Sequence, residues 1–260
     1  MFALSVAGLL ALTACGGSDA DNAASDTTAA ASDSSAADIA AARVTKYLQT
    51  ITEIDLGEAP ASVPEAKTVY YIACSVAVCA EIQVGVEAAV KALGWTFKST
   101  SHQDTPETVA AAFDAAIAAK PDVVMSSGNP REWFADQLAT LQGMNIPVIS
   151  WSLPEGYEPG NGIAANVLSA DDYYFYGVLM ADYAVANSPN KNIRFVGLPV
   201  FPVLSLVQQG FNDEIAAICP DCKVETQEVA ISDIGVNLPG QIVSALQADP
   251  TLDFIVYAFG

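Results

Sequence analysis

Five cysteines, one histidine and a few paired carboxylates are the residues of this chain whose chemistry could go beyond binding. Four cysteines form two close pairs, Cys74 with Cys79 and Cys219 with Cys222. Cys219-Pro-Asp-Cys222 has the spacing of a redox or zinc half-site. Zinc needs four ligands, and the sequence offers no second CxxC and no nearby histidine. Redox CxxC motifs open a helix after a strand, whereas this one follows the helical run SLVQQGFNDEIAAI, so a structural bridge in a turn is expected. His102 is the lone histidine, which removes most acid–base triads and His-rich metal sites. It sits in STSHQDTPE, between a strand and a helix, and reads as an exposed loop residue. Asp171, Asp172, Glu225 and Glu228 make carboxylate pairs, which on an acidic chain read as solvated faces. No GxSxG elbow, GxxxxGK[ST] loop or GxGxxG turn occurs. The expectation is no catalytic residue, no metal, no cofactor and no enzyme activity.

The fifth cysteine stands apart. Phe2 to Ala14 is uncharged and far shorter than the roughly 20 apolar residues of a membrane-spanning helix. A short apolar run ending in small residues is the pattern of an export signal, and Leu12-Thr13-Ala14-Cys15 resembles the lipobox of bacterial lipoproteins. That resemblance implies a signal peptide over 1–14 and lipidation of Cys15, the alternative being a plain secretory signal. Residues 15–38, rich in Ser, Ala and Asp, bury too little apolar surface to offset the entropy of ordering and read as a disordered acidic tether. No Lys or Arg precedes the apolar run, so the true start is expected upstream of Met1.

Charge narrows the partners. A formal net charge of -20 with ten Lys plus Arg argues against nucleic acid, which requires a cationic surface, and against a polybasic hold on lipid. Hydrophobic residues make up 52% of the chain, enough for one large or two modest cores. Export places the remaining cysteines in an oxidising compartment, where close pairs become disulfides; for Cys74 and Cys79 the other reading is two small unpaired core residues.

The elements that must position these groups alternate. Residues 39–66 read as a leading helix and a linker broken by Gly and Pro. Then come strand KTVYYIAC, helix AEIQVGVEAAVKALG, strand WTFKST, helix PETVAAAFDAAIAAK, strand DVVMSSG, helix REWFADQLATLQG and strand PVISWS. A second series runs from helix YYFYGVLMADYAVAN through strand NIRFVGLP, helix SLVQQGFNDEIAAI, strand KVETQEVAI and helix LPGQIVSALQAD to strand DFIVYAFG. Strand and helix alternating at this spacing mean an α/β fold with parallel, doubly wound sheets. The last strand lacks a following helix, so the chain is expected to continue past Gly260.

The run from Lys67 resembles type I periplasmic binding proteins, in particular ribose-binding-like receptors of ABC importers. The residues that carry the resemblance are GVEAAVKALGW leading into a strand, Asp104 before a helix ending AAIAAKPDVVMSS, LQGMNIPVIS, LVQQGFNDEI and ADPTLDFIVYAFG. It implies two lobes joined by a hinge, 67–166 and 167–260, the second incomplete, closing on a small solute. The expected partners are that solute, an importer permease and the membrane through the lipid anchor, with a monomeric receptor located outside the cytoplasm; a solute-sensing lipoprotein is the alternative. A transcriptional regulator of this fold requires a basic helix-turn-helix where this chain has its acidic tether.

Ligands of open parallel sheets bind beyond the carboxyl ends of the strands. Those ends carry Ser75 and Val76, then Ser127, Gly128 and Asn129, then Trp151 and Ser152, and in the second lobe Phe201. Family members that bind sugars carry an Asp-Arg pair and a helix arginine where this chain has Ser152, Leu153 and Val207. Neutral, sugar-like or nucleoside-like solutes are therefore expected ahead of anions. Pleat alternation leaves Trp151 either a core residue or a ligand contact. A Cys74–Cys79 bridge encloses the loop SVAV, which touches ligand in the family, and stiffening it lowers the ordering cost of binding.

Overall fold

The computed structural model describes residues 36–54, 57–58, 61–155, 158 and 160–259. Cys15, the signal peptide and nearly all of the tether lie outside the described residues.

Two parallel sheets organise the chain. The first contains β1 (Thr68–Ala73), β2 (Thr96–Ser101), β3 (Val123–Ser126), β4 (Val148–Trp151) and β5 (Ile163–Val167) in the order β2-β1-β3-β4-β5. β1 is central because Val69 to Ala73 are all buried, a run that only a strand covered on both faces can accommodate. The crossovers are helical: α2 (Ala77–Ala92) after β1, α3 (Pro106–Ala119) after β2, and a 3₁₀ turn (Arg131–Phe134) leading into α4 (Ala135–Gly143) after β3. One face is filled by Tyr70, Ile72, Val109, Phe113, Val124, Phe134, Leu138 and Leu141, with the Phe113 and Phe134 rings stacked 4.2 Å apart. The other is a smaller cluster of Tyr71, Ala73 and Cys79, joined by Phe97, Met125 and Trp151.

β5 has no counterpart among the elements expected from sequence. It is an edge strand with only Ile163 buried, so neither alternation nor an apolar run marks it.

The second sheet has β6 (Asn192–Gly197) between β7 (Lys223–Glu228) and β8 (Phe254–Tyr257), all parallel. α5 (Ala170–Asn187) leads in from the first sheet; α6 (Pro202–Ile218) and α7 (Leu238–Ala248) are the crossovers. α5 and α6 cross at glycines. A methyl built on Gly210 falls 2.0 Å from Tyr174 O, and one on Gly177 falls 2.0 Å from Val207 O, so the backbones meet directly. Val207 is buried in this contact region, in the apolar cluster with Phe211 and Ile215.

The leading helix is α1 (Ala36–Tyr47), shorter than its sequence pattern. It lies on α5 and α6 rather than on the first sheet that follows it in the chain. Arg43 sends Nε and Nη2 to the two oxygens of Asp182, at 2.8 and 3.0 Å, and Nη2 also meets Glu214. Tyr47 packs edge-on against Phe175 at 5.3 Å. The linker ends on the first sheet's side, where the Trp95 indole N–H donates to Pro64 O at 2.9 Å.

Candidate ligand-binding site

The carboxyl ends of β1 to β4 deliver four loops to one end of the first sheet. Three leave their strands by continuing the ladder: His102 N–H donates to Ala73 O (3.1 Å), Ser127 N–H to Ile72 O (3.2 Å) and Ser152 N–H to Val167 O (2.9 Å). The β2–α3 loop is set by its helix. Thr105 caps α3, exchanging bonds with Thr108 in a capping box, and Pro106 opens the first turn with φ already suited to it. That stop leaves Asp104 at φ +56°, a left-handed conformation that Asp tolerates better than most residues.

His102 lies at the middle of these loops. It is 2% exposed, which corrects the expectation of an exposed loop residue: the β1–α2 and β3–α4 loops, distant in sequence, close around it. Asp104 N–H approaches its Nδ1 at 3.1 Å. Nε2 stands 3.1 Å from Ser127 Oγ and 3.1 Å from Asn129 Nδ2. Asp104 Oδ1 lies 3.3 Å from Nδ1, while its Oδ2 accepts from Ser75 N (3.1 Å) and from the Ser75 hydroxyl. Burial pushes the imidazole below its ordinary value, and Asp104 pulls it partly back.

The fourth loop is locked to the third. Gly128 passes so close to Ser152 that a methyl on it falls 1.9 Å from Ser152 O, and Ser152 itself sits at φ +66°. The Ser152 hydroxyl meets the Tyr173 hydroxyl of α5, linking this end of the first sheet to the helix that leads into the second. Burial pushes the Tyr173 phenol up, and the Ser152 contact opposes that rise.

The residues expected at the site divide by environment. Ser75 is exposed, Val76 and Gly128 are half-buried, and Asn129 and Ser152 are buried with internal partners. Trp151 is half-buried on the cluster of Tyr71, Ala73 and Cys79, and its indole N–H and the Tyr71 hydroxyl are buried without a resolved hydrogen bond among the described residues. Phe201 is half-buried at the start of α6 against the cluster of Val196, Leu198 and Leu238. Leu153 is buried in the first core. Cys74 is paired with Cys79 (Cα–Cα 5.6 Å) and Cys219 with Cys222 (5.3 Å) at disulfide-compatible separations, the first pair at the loop bearing Ser75 and the second in the turn after α6. His102, Asp104 and Tyr173 stand among these loops although the sequence pattern assigns none of them to the site, placing His102 on an exposed loop and Asp104 only in the family resemblance. The strand-end rule finds the first two when it is applied after β2 as well as after β1, β3 and β4. Among the described residues no three His, Cys, Asp or Glu side chains gather as a metal site, and no helix is long and apolar enough to cross a membrane.

Two parallel sheets with helical crossovers make this an α/β protein of the doubly wound kind. The chain belongs to the type I periplasmic binding proteins: residues 74–260 match the profile of the periplasmic binding protein domain. Solved structures of the same fold include an ABC sugar transporter subunit from Rhodobacter sphaeroides, 19% identical, covering 74% of this chain and 68% of that one at a TM-score of 0.59. A solute-binding protein of an ABC transporter from Agrobacterium vitis, bound with α-D-tagatopyranose, is 21% identical over 74% of this chain and 67% of its own, at 0.59. A LacI-type transcriptional regulator from Bacteroides fragilis is 13% identical over 74% and 69%, at 0.62. No curated protein matches the chain.

Proposed function

We propose that this protein is a lipid-anchored receptor outside the cytoplasm that captures a small neutral, sugar-like solute and passes it to an ABC importer. The observation that carries the reading is the set of polar groups that four loops bring to one end of the first sheet, Ser75, Asp104, Asn129 and Ser152 among them, in a chain of this family. Its inner members, Asn129 and Ser152, are held by His102 and Tyr173 and act as the frame. Ser75, Val76 and Gly128, with Phe201 from the second lobe, are the groups a solute meets.

The neutral charge follows from where the cations are. Arg43 is spent on Asp182 and Glu214, Arg194 on Glu225 (2.8 Å) and Gln227 (3.1 Å), and Arg131 reaches toward Asn161 O at 3.5 Å. Arg43 and Arg194 are committed to acidic partners and supply no bidentate clamp of the kind that an anion or a charged sugar uses. The sugar bound by the Agrobacterium vitis relative is an uncharged polyol of this class. Division into lobes at 67–166 and 167–260, with lipidation at Cys15, completes the proposal.

Thermal denaturation against neutral sugars, nucleosides, amino acids and aromatic acids tests it. A solute at about 100 times its dissociation constant adds about 2.7 kcal/mol, roughly 5–11 °C for a chain of this size. A shift confined to neutral polyols supports the reading; a shift confined to anions, or none from folded protein stripped of carried-over solute, overturns it.

A further inference from the structure

We propose that the solute of this receptor carries an apolar substituent, an alkyl or aryl group on its sugar-like body, and that the loops following β6 and β7 receive it. The inference rests on the receptor reading, in which the second lobe closes on the solute, and narrows the substrate class of that same site.

The two sheets end differently. The first presents hydroxyl, amide and carboxylate groups beyond its strands, whereas the second continues from β6 into residues 198–201 (LPVF) and from β7 into residues 229–237 (VAISDIGVN). Asp233 is the one charged residue in these two runs. The runs adjoin, because Val229 N–H donates to Gly197 O at 3.0 Å. Their inner residues, Leu198 and Val229, are buried with Val196 and Leu238. The outer ones are not: Val200, Ile231, Ile234 and Val236 are exposed, Val236 to 73%. β7 is the edge strand on the side away from β8, so a strand paired along β8 extends the sheet away from this loop.

The β7–α7 loop spends its polar groups on itself. Asp233 N–H donates to Ala230 O (3.0 Å) and Ile234 N–H to Ile231 O (3.2 Å), while the amides of Val236 and Asn237 both donate to Asp233 O (3.1 and 3.0 Å). The Asp233 carboxylate accepts from Asn237 Nδ2 at 2.8 Å, and Gly235 at φ +74° takes the left-handed turn that a side chain would strain. What the loop offers to the outside is therefore aliphatic. A hydroxyl laid on such a surface loses its water and gains no partner. A carbon group gains instead, by roughly fourfold in affinity for each methylene fully buried. Exposed apolar side chains that adjoin a polar site mark where the apolar part of a ligand lands. A solute held between the two sheet ends thus meets hydrogen-bonding groups on one side and aliphatic groups on the other, and an alkyl or aryl glycoside has both.

Calorimetry on the folded protein with the free, methyl, butyl and phenyl glycosides of glucose, galactose, xylose and ribose tests this. For at least one of these sugars the butyl or phenyl glycoside should bind at least about tenfold tighter than the methyl glycoside. Ile234→Ser combined with Val236→Ser should cut that ratio by at least about threefold. Val243→Ser, which alters an exposed valine on α7 rather than in these loops, should leave the ratio as in the wild type. Should the double variant fail to fold, Val236→Ser alone, at the most exposed of the four positions, takes its place. Sugars that bind while their butyl and phenyl forms bind no tighter than the methyl form overturn the inference and leave the receptor reading standing, the aliphatic loops then belonging to a surface that meets the importer. A ratio that the loop variants do not change overturns it as well. Binding of no sugar and no glycoside overturns the receptor reading itself, and the inference with it.

Discussion

Replacing Arg43 by Met should undock α1 at a cost near 3 kcal/mol, the lower end of the about 3–5 kcal/mol lost when one partner of a buried ion pair is removed. Two guanidinium nitrogens face the two oxygens of Asp182, whose side chain is fully buried, and Glu214 shares the charge. Two features hold the cost down. Arg43 keeps 29% of its side chain exposed, and burial already pushes the Asp182 carboxyl up, so the stranded acid protonates more readily than an ordinary aspartate. α1 can also lift off and admit water to Asp182, which caps the loss at the docking free energy of the helix, to which Ala40 and the Tyr47–Phe175 contact contribute. For a chain of this size about 3 kcal/mol is roughly 6–12 °C in Tm. Urea unfolding gives the magnitude, and hydrogen exchange over residues 36–47 separates undocking from global unfolding. Arg43→Met combined with Asp182→Asn should recover most of the loss, because the fully buried carboxylate is then gone and the remaining acid, Glu214, keeps 14% of its side chain exposed. A single variant within about 0.5 kcal/mol of wild type, or a double variant no better than the single, would refute this reasoning.

Three further outcomes are expected. Gly210→Ala forces a methyl to within 2.0 Å of Tyr174 O and should destabilise by at least about 1–3 kcal/mol in urea unfolding, since helix backbones must separate to admit it. Gly128→Ala pushes the β3–α4 loop off Ser152 and should weaken binding of any solute found by the panel at least tenfold in calorimetry, with a smaller loss in Tm. Acid should cost stability through His102: its folded value lies below the unfolded value of about 6.5, so the unfolded chain binds more protons as pH falls through that window. The wild type should therefore lose more stability than His102→Gln between about pH 6.5 and the folded midpoint, read from urea midpoints at each pH.

The parts of the fold legible in the sequence are those whose cause is local. β1 announces itself because five consecutive buried residues leave only a covered strand, and α3 because Thr105, Pro106 and the Val109-Phe113 stripe all agree on where it starts and which way it faces. β5 went unseen because an edge strand with one buried residue has no pattern to show. α1 was legible as a helix but not as one that sits on α5, since Arg43 finds Asp182 and Glu214 at separations of 139 and 171 residues. The site divides the same way. Ser75, Gly128 and Asn129 follow from the rule about strand ends, whereas the burial of His102 depends on two loops closing over it, and a rule read along the chain misplaces such a residue on the surface. Trp151 stays open for a sound reason: alternation gives its face, and the fold leaves it half-buried on the cluster of Tyr71, Ala73 and Cys79.

The most direct test of the central claim is to map amide shifts while a neutral sugar from the panel is titrated into the folded protein at a pH where His102 is neutral. The expected result is saturable movement centred on Ser75, Val76, Gly128 and Asn129, with no such response to phosphorylated or carboxylated forms of the same sugar. Saturable movement confined to other surfaces, or a response only to the anionic forms, would contradict the account.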